Sequence, residues 1–426
     1  MNTLHLPGPD QPARGTGKVQ KRGNPEAGPR HGNGLRILLL THSFSPDISP
    51  PQRRWRAFTE AFTDAGHDVS VVTPRSTGSL GTTLQHGNGW LRVRRYPSPG
   101  RARTSLAKAG KHVLEALLSM PLALRSGPMD VVIATVPALP TLGTGYLASR
   151  LLGSLFVVDL RDAWPNLLRE SNVLRSSRLE PWLTEVILWL LRRADLVVTV
   201  SHGLEEVARA QGIERVLTLR NGVDVGNYQA TEPSPPPRNE PLRVLYLGNL
   251  GHSQGLEIAI AATAALPRTV QLRIVGAGAQ AVTLRDYARD QGVEVDFREP
   301  VHGAEVLRLY DWADTCLVSL RPDWPSFEHT IPSKLYELLA LDQHVTGLVR
   351  GEAAQIIQDA EAGQVVEQTT QALIVHFQRL AGDRELLQRS GSGPRWVREH
   401  ANLRVLGKRY TQALEELVNR QEHDEP

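Results

Sequence analysis

Cysteine is nearly missing from this chain of 426 residues: Cys316 stands alone, so neither an internal disulfide nor a multi-cysteine metal site can form. Zinc-ribbon and iron-sulfur classes are excluded, and a reducing compartment, the cytoplasm, is the expected location. No apolar run reaches eighteen residues; stretches such as Leu151 to Leu160 are interrupted or too short, so no transmembrane helix is expected. The fourteen histidines form no H-x-x-x-H cluster, which leaves a metal site without support. Charge of one sign is also scarce in surplus. Forty-eight Lys and Arg against 45 Asp and Glu leave +3, too little over this length to indicate nucleic acid as a partner. Residues 1–34 lack the apolar core of a secretory signal and read as a disordered basic tail.

What is present is the composition of a folded protein, 41% hydrophobic and 22% charged, over a length that favours two units. From Leu35 onward, short apolar runs alternate with segments of helical period, the pattern of strands and crossover helices in a parallel sheet. Two such series follow one another. The first has strands at Leu35–Thr41, Asp68–Thr73, Leu91–Arg95, Asp130–Thr135, Ser154–Asp159, Ala194–Val200 and Val216–Arg220, with a helix from Pro51 to Ala65. Residues 226–241, with Pro233, Pro235, Pro236 and Pro237, cannot continue a helix or central strand and read as a linker. The second series runs through Leu242–Leu247, Gln271–Val275, Val293–Phe297, Thr315–Leu320, His344–Leu348 and Gln364–Val366, and closes with helices. The fold class is α/β: a Rossmann-like doubly wound domain over 35–225, a second over 242–400, and a helix with tail over 401–426. A ligand is expected at the carboxyl ends of the strands, between the halves.

Four segments carry chemistry. Gly248-Asn249-Leu250-Gly251-His252-Ser253-Gln254-Gly255 follows a strand and opens a helix, so its amides can approach a phosphate; a tight turn binding nothing is the alternative. Gly276-Ala277-Gly278 begins a G-x-G-x-x-A match with Glu294 and Asp296 downstream, but it follows the second strand of its half, which favours a structural turn over a dinucleotide site. Pro332-Ser333-Lys334-Leu335-Tyr336-Glu337 reads as a helix start that can bind an anion, with a cation and a carboxylate three residues apart on one face; a solvated ion pair is the bland alternative. Asp159, Arg161 and Asp162 cluster at the end of an apolar strand, where charge usually faces a ligand crevice. Separately, residues 92–125 hold eight basic residues against the lone acid Glu115, with an apolar stripe through Leu106, Val113, Leu114, Leu117, Leu118 and Leu122. An anionic membrane surface and an ordinary core-facing helix both fit that stretch.

In order along the chain, Ser43-Phe-Ser-Pro46, Ala65-Gly-His-Asp-Val-Ser-Val-Val-Thr73, Asp159-Leu-Arg-Asp-Ala-Trp-Pro165, Asn221-Gly-Val-Asp224, Gly248 to Gly255 and Pro332 to Glu337 resemble glycosyltransferase family 4. This is the retaining GT-B group, and the likeness is greatest to its bacterial branch that builds O-antigen, capsule or exopolysaccharide. The resemblance implies transfer of a hexosyl or N-acetylhexosaminyl unit from a nucleotide diphosphate sugar, with UDP expected, to a lipid-linked or glycan acceptor. It implies no metal and no cofactor beyond the donor substrate, and peripheral contact with the cytoplasmic face of the inner membrane is compatible with it.

By the same resemblance Glu337 is the second glutamate of the E-x7-E motif and holds the donor ribose, while the first position is His329. The arginine and lysine that many members place on the diphosphate fall at Asn249 and Gln254, and the family's A-G-x-P is Leu341-Asp342-Gln343-His344. Charge for the diphosphate is therefore expected from Lys334 with the amides of Gly251, Ser333 and Lys334. The expected nucleotide-sugar site comprises Gly248, Asn249, Gly251, Gln254, Gly276 and Gly278 from the glycine turns, with Val301, His329, Ser333, Lys334, Leu335 and Glu337 from later segments. Lys334 is the expected catalytic cation, and Arg161 and Asp162 are expected to orient the acceptor hydroxyl. A sugar-nucleotide epimerase of the same shape, a nucleotide-dependent oxidoreductase and a non-catalytic nucleotide-sugar-binding partner are the rival readings.

Overall fold

The computed structural model describes residues 34–46, 50–75, 81–98, 105–136, 139–162, 179–228 and 240–424. Most of the basic start, the proline cluster at Pro233–Pro237, Trp164, Pro165, Arg101 and Arg103 lie outside them. The first half contains β1 (Arg36–Leu40), α1 (Pro50–Asp64), β2 (Asp68–Pro74), β3 (Thr82–His86), β4 (Gly89–Tyr96), α2 (Ser105–Leu124), β5 (Val131–Val136), α3 (Leu139–Leu152), β6 (Leu155–Leu160), α4 (Leu179–Arg192), β7 (Leu196–Thr199), α5 (His202–Ala210) and β8 (Val216–Thr218). The second contains β9 (Leu242–Leu247), α6 (Glu257–Ala264), β10 (Val270–Val275), α7 (Ala281–Asp290), β11 (Asp296–Arg298), α8 (Ala304–Trp312), β12 (Thr315–Ser319), α9 (Ser333–Ala340), β13 (Val345–Leu348), α10 (Gly351–Asp359), β14 (Gly363–Val365), α11 (Thr370–Gly382) and α12 (Ser392–His400); α13 (Leu403–Asp424) closes the chain.

The first sheet has the order β3-β4-β2-β1-β5-β6-β7-β8 and is parallel apart from β3, which pairs antiparallel with β4. Its central strands are apolar throughout because both faces are covered. Ile37 and Leu39 point into a core with Trp55, Phe58 and Phe62 of α1, whereas Leu38 and Leu40 point into a core with Ala123 and Ala148 of α2 and α3. The β3–β4 hairpin was not expected. Its Thr82–His86 strand is exposed along its whole length and so shows no alternation, and Gly87 at φ 56 with Asn88 makes the two-residue turn.

The second sheet has the order β11-β10-β9-β12-β13-β14 with every pair parallel. From β9 the chain builds outward to β10 and β11, then returns to the other side of β9 with β12. The strand order therefore reverses between β9 and β12, the place where open α/β sheets hold ligands at their carboxyl ends.

The chain divides into compact units at Asn221/Gly222 and again at Asn402/Leu403. The first crossing falls before the proline-rich stretch because Val223 N–H donates to the Ala401 carbonyl at 3.0 Å and bridges Asn402, which ties residues 222–223 to the second unit. A side chain on Gly222 would overlap that same carbonyl. The closing helix α13 belongs to the first unit. Leu403, Leu406, Tyr410, Leu414 and Leu417 recur every three or four residues and join the core beneath α1, with the Tyr410 ring 5.5 Å from Phe58 and 5.4 Å from Phe62. Each such buried side chain contributes roughly 1.5–3 kcal/mol of transfer free energy. Among the described residues no helix is long and apolar enough to cross a membrane.

Candidate functional site

Both expected donor-binding segments emerge at the reversal of the second sheet. Gly248 to Gly255 leaves the carboxyl end of β9, and the Arg321–His329 loop with α9 leaves β12. The glycine loop is fixed to its neighbours by backbone hydrogen bonds: Gly248 N–H to Val275 O, Leu250 N–H to Ala277 O, and Gln280 N–H to Leu250 O. This contact explains Gly276 and Gly278. A Cβ on Gly276, at φ 152, would overlap the Gly248 carbonyl, and one on Gly278 the Leu250 carbonyl. The G-x-G-x-x-A match thus serves to pack one turn against another. Asp296, considered above for a ribose, is held by Arg273 at 2.6 Å and Arg298 at 2.9 Å; burial acts to raise its pKa, but these hydrogen bonds prevail and lower it. Glu294 is exposed.

Two further expectations are corrected. The Gly251 amide, assigned above to the diphosphate, donates to Gln254 Oε1 at 2.9 Å, which gives Gln254 a role in shaping the loop. Leu335 is fully buried, and its N–H donates to the Pro332 carbonyl at 2.9 Å, so its side chain packs the core and its amide is engaged. Asn249 is exposed on the loop, and Val301 is half-buried between β11 and α8. His329 ends the 3-10 turn Pro325–His329 and is half-buried.

Lys334 and Glu337 are joined as their spacing predicts, with Nζ donating to Oε2 at 2.6 Å. The pair is not a solvated one: the Glu337 side chain keeps 10% of its surface exposed and the Lys334 side chain 28%. Tyr310 of α8, which the sequence did not mark, directs its hydroxyl to the same Oε2 at 3.5 Å, and its ring lies 5.7 Å from Lys334 Nζ. Ser333 and Lys334 begin α9, where backbone N–H groups have no intrahelical acceptor and the helix dipole is positive. A small pocket of about 70 Å³ opens at the carboxyl ends of β12, β13 and β14, lined by Arg321, Trp324, Phe327, Arg350 and Gln368 among others. Gln368 Nε2 is anchored there by the Leu320 carbonyl at 2.6 Å. Sequence reading had named the 321–329 loop but not Arg350 or Gln368, which reach the pocket from other strands.

The departure at Leu341-Asp342-Gln343-His344 has a structural account. Asp342 adopts φ 53 where the family motif has glycine, and Asp342 N–H to Leu339 O with Gln343 N–H to Leu338 O complete a Schellman cap. Its carboxylate accepts from Gly391 N–H at 3.2 Å. His344 is buried, with Nδ1 2.9 Å from Thr315 Oγ1 and Nε2 3.0 Å from Gln364 Oε1. Cys316 beside it is inert, its thiol pushed up to about 12 by burial.

In the first unit the carboxyl end of β6 carries the charges. Asp159 is structural: its Oδ2 accepts from Arg54 Nη2 at 2.9 Å with both side chains essentially unexposed. Arg54 Nη1 also donates to the carbonyls of Leu219 and Arg220, at 2.9 and 2.8 Å. One guanidinium therefore fixes the ends of α1, β6 and β8, a function that nothing in its sequence context distinguishes from Arg53 or Arg56. Arg161 and Asp162 follow, each half-buried. Burial pushes the Asp162 carboxyl above its ordinary value, with Arg161 opposing, and burial lowers Arg161.

Residues 52–227 match the family model described as Glycosyltransferase Family 4, and residues 241–383 that described as Glycosyl transferases group 1. Each half thus matches its own glycosyltransferase family model. The chain is similar to sucrose-phosphate synthase from Thermosynechococcus elongatus at a TM-score of 0.71 and 17% identity, over 91% of this chain and 100% of the other. Anabaena HepE in complex with UDP-glucose follows at a TM-score of 0.65 and 16% identity, over 90% and 100%. A structure described as trehalose-6-phosphate from E. coli bound with UDP-2-fluoro glucose gives 0.62 and 12%, over 89% and 98%. At such identities the likeness is one of fold, which is GT-B. In sequence, glycogen synthase of Mycobacterium tuberculosis is 31% identical over 138 residues, 30% of this chain and 33% of that protein, so the match spans about a third of the relative's length.

Proposed function

We propose that the protein transfers a sugar from a nucleotide diphosphate sugar, with UDP as the nucleotide, to a hydroxyl of a lipid-linked or glycan acceptor. Retention at the anomeric carbon and independence of metal come from the family resemblance, as does a place in bacterial O-antigen, capsule or exopolysaccharide assembly. The observation that carries the donor reading is that the glycine loop and the segment leading into the Ser333–Glu337 helix start leave neighbouring strands at the reversal between β9 and β12, joined by Arg321 N–H to Ser253 O at 3.0 Å and Ser319 Oγ to Gln254 O at 2.6 Å. UDP is supported by the UDP-glucose and UDP-2-fluoro glucose bound in the HepE and E. coli structures of the same fold.

In this reading, negative charge builds on the departing diphosphate as the glycosidic bond breaks. The amides of Ser333 and Lys334 and the positive end of α9 are aimed where that charge develops, and Lys334 has three N–H donors with which to bridge Glu337 and a phosphate oxygen. Glu337, held by Lys334 and Tyr310, offers its carboxylate to the ribose hydroxyls. The polar groups of Arg321, Arg350 and Gln368 around the neighbouring pocket suit sugar hydroxyls. Arg161 and Asp162 orient the acceptor, and a lipid-linked acceptor would bring the basic stretch 101–125 to an anionic membrane surface.

The test is transfer from radiolabelled UDP-sugars to a lipid-linked acceptor by the wild type and Lys334→Ala. Removing one such donor is expected to lower turnover by about 10²-fold or more. Near-normal turnover dismisses the assignment, and formation of a free altered nucleotide sugar without acceptor favours an epimerase instead.

A further inference from the structure

The helices α2, α3 and α4 form one layer over the first sheet, with α3 in the middle: Thr144 Oγ1 donates to the Ala116 carbonyl of α2, and the Tyr146 ring sits 5.2 Å from Trp189 of α4. α2 is apolar on both sides. Toward the sheet it turns Ala116 and Ala123 with the partly buried Leu118, Met120 and Leu122, Glu115 and Ser119 lying beside them, while Val113, Leu114, Leu117 and Leu124 face outward, Leu117 with 66% of its surface exposed. A soluble helix with one core face carries polar residues on the other. Here the acid Glu115 is instead enclosed by Ser98, Lys111 and His112.

The apolar face continues across the layer. On α3, Leu147 and Leu151 are exposed, and on α4, Trp182 and Trp189. Each helix crosses back to the amino end of a parallel strand, β5, β6 or β7, so their last turns line up along one edge. That edge carries Arg125, Arg150, Arg192 and Arg193, all exposed, with Arg193 stacked 4.9 Å from the Trp189 ring. Glu180 and Glu185 are the acids of α4, too few to match those arginines if a second copy were to dock on the same face.

We infer that this three-helix face is a docking surface for an anionic phospholipid bilayer, with Leu117, Leu151 and Trp182 entering the headgroup boundary and the arginine edge meeting lipid phosphates. An exposed apolar patch rimmed by cations, with tryptophan among its members, is the composition that partitions into that boundary and is held there by charge. The inference rests on and deepens the proposed membrane contact by extending it from a stretch of α2 to a layer shared by α2, α3 and α4.

The experiment is sedimentation of the full-length protein with phosphatidylcholine vesicles, with or without 30% phosphatidylglycerol (about a third of the lipid, enough for a strong surface potential), at low and high salt. Binding to the anionic vesicles, weakened by salt, with a blue shift of tryptophan fluorescence that Trp182→Phe/Trp189→Phe abolishes, is expected. Leu117→Gln/Leu151→Gln and Arg125→Glu/Arg150→Glu should each reduce the bound fraction by about tenfold or more. Equal binding by these variants, or no binding by the wild type, overturns the inference, as does a wild-type dimer that Leu117→Gln/Leu151→Gln dissociates while neither form binds vesicles. Lys334→Ala should bind vesicles normally, and the face variants should hydrolyse UDP-sugar normally, so failure of the surface and failure of the donor site are told apart.

Discussion

Acid should destabilise this protein through His344. The imidazole is buried on β13's edge, bounded by Thr315, Gln364, His376 on α11 and the Arg389 guanidinium. Burial, with His376 and Arg389 adding to it, lowers its pKa to about 4. In the unfolded chain the value returns to about 6.5. Well above pH 6.5 both states are neutral and the residue has no effect on stability. As pH falls from 6.5 toward 4, the unfolded state gains a proton that the folded state refuses, and stability is lost. Worked through the linkage relation, the loss between pH 7 and pH 5 is about 2 kcal/mol, approaching 3 kcal/mol below pH 4. His376, also lowered to about 4 by burial, adds a loss of the same sign. Urea unfolding of wild type and His344→Asn at both pH values isolates the His344 part: the variant's loss should be smaller by about 2 kcal/mol. Equal losses in the two proteins would refute the reasoning.

Arg54→Met strands the Asp159 carboxylate and two backbone carbonyls, and should cost about 3–5 kcal/mol by denaturant unfolding; adding Asp159→Asn should restore part of it. An unchanged midpoint in the single variant would show that the pair is not buried as described. Tyr410→Phe removes a buried hydroxyl for which no hydrogen-bond partner exists among the described residues, and should be neutral or stabilising by up to about 1 kcal/mol in thermal melts. A loss greater than that would reveal a hidden partner. Asp162→Asn should raise the KM for acceptor more than that for donor, and full activity would remove the carboxylate from acceptor orientation.

The strands were legible because a sheet covered on both faces needs continuous apolar runs, and β1, β5, β6 and β9 supply them. The exposed β3 was not, since residues that bury nothing carry no pattern. The spacing of Lys334 and Glu337 announced their pairing, but not that Tyr310, distant in sequence, would complete it. Gly276 and Gly278 show the converse difficulty: the same letters serve a phosphate or a neighbouring turn, and only the Gly248 and Leu250 carbonyls pressed against them decide. Arg54 was unreadable for a related reason, as its partners lie more than a hundred residues away. Likewise the helical pattern over 401–426 marked a closing helix without naming the sheet it covers.

That last helix sets an order of events during synthesis. Trp55, Phe58 and Phe62 are translated before the second unit, yet the surface that seals them, Leu403 to Leu417, leaves the ribosome only after it. The amino-terminal unit must wait, with an open aromatic flank, while the whole second unit is made. A chain that stops short of Leu403 would therefore lose the earlier-made unit first, although every residue removed lies at the opposite end.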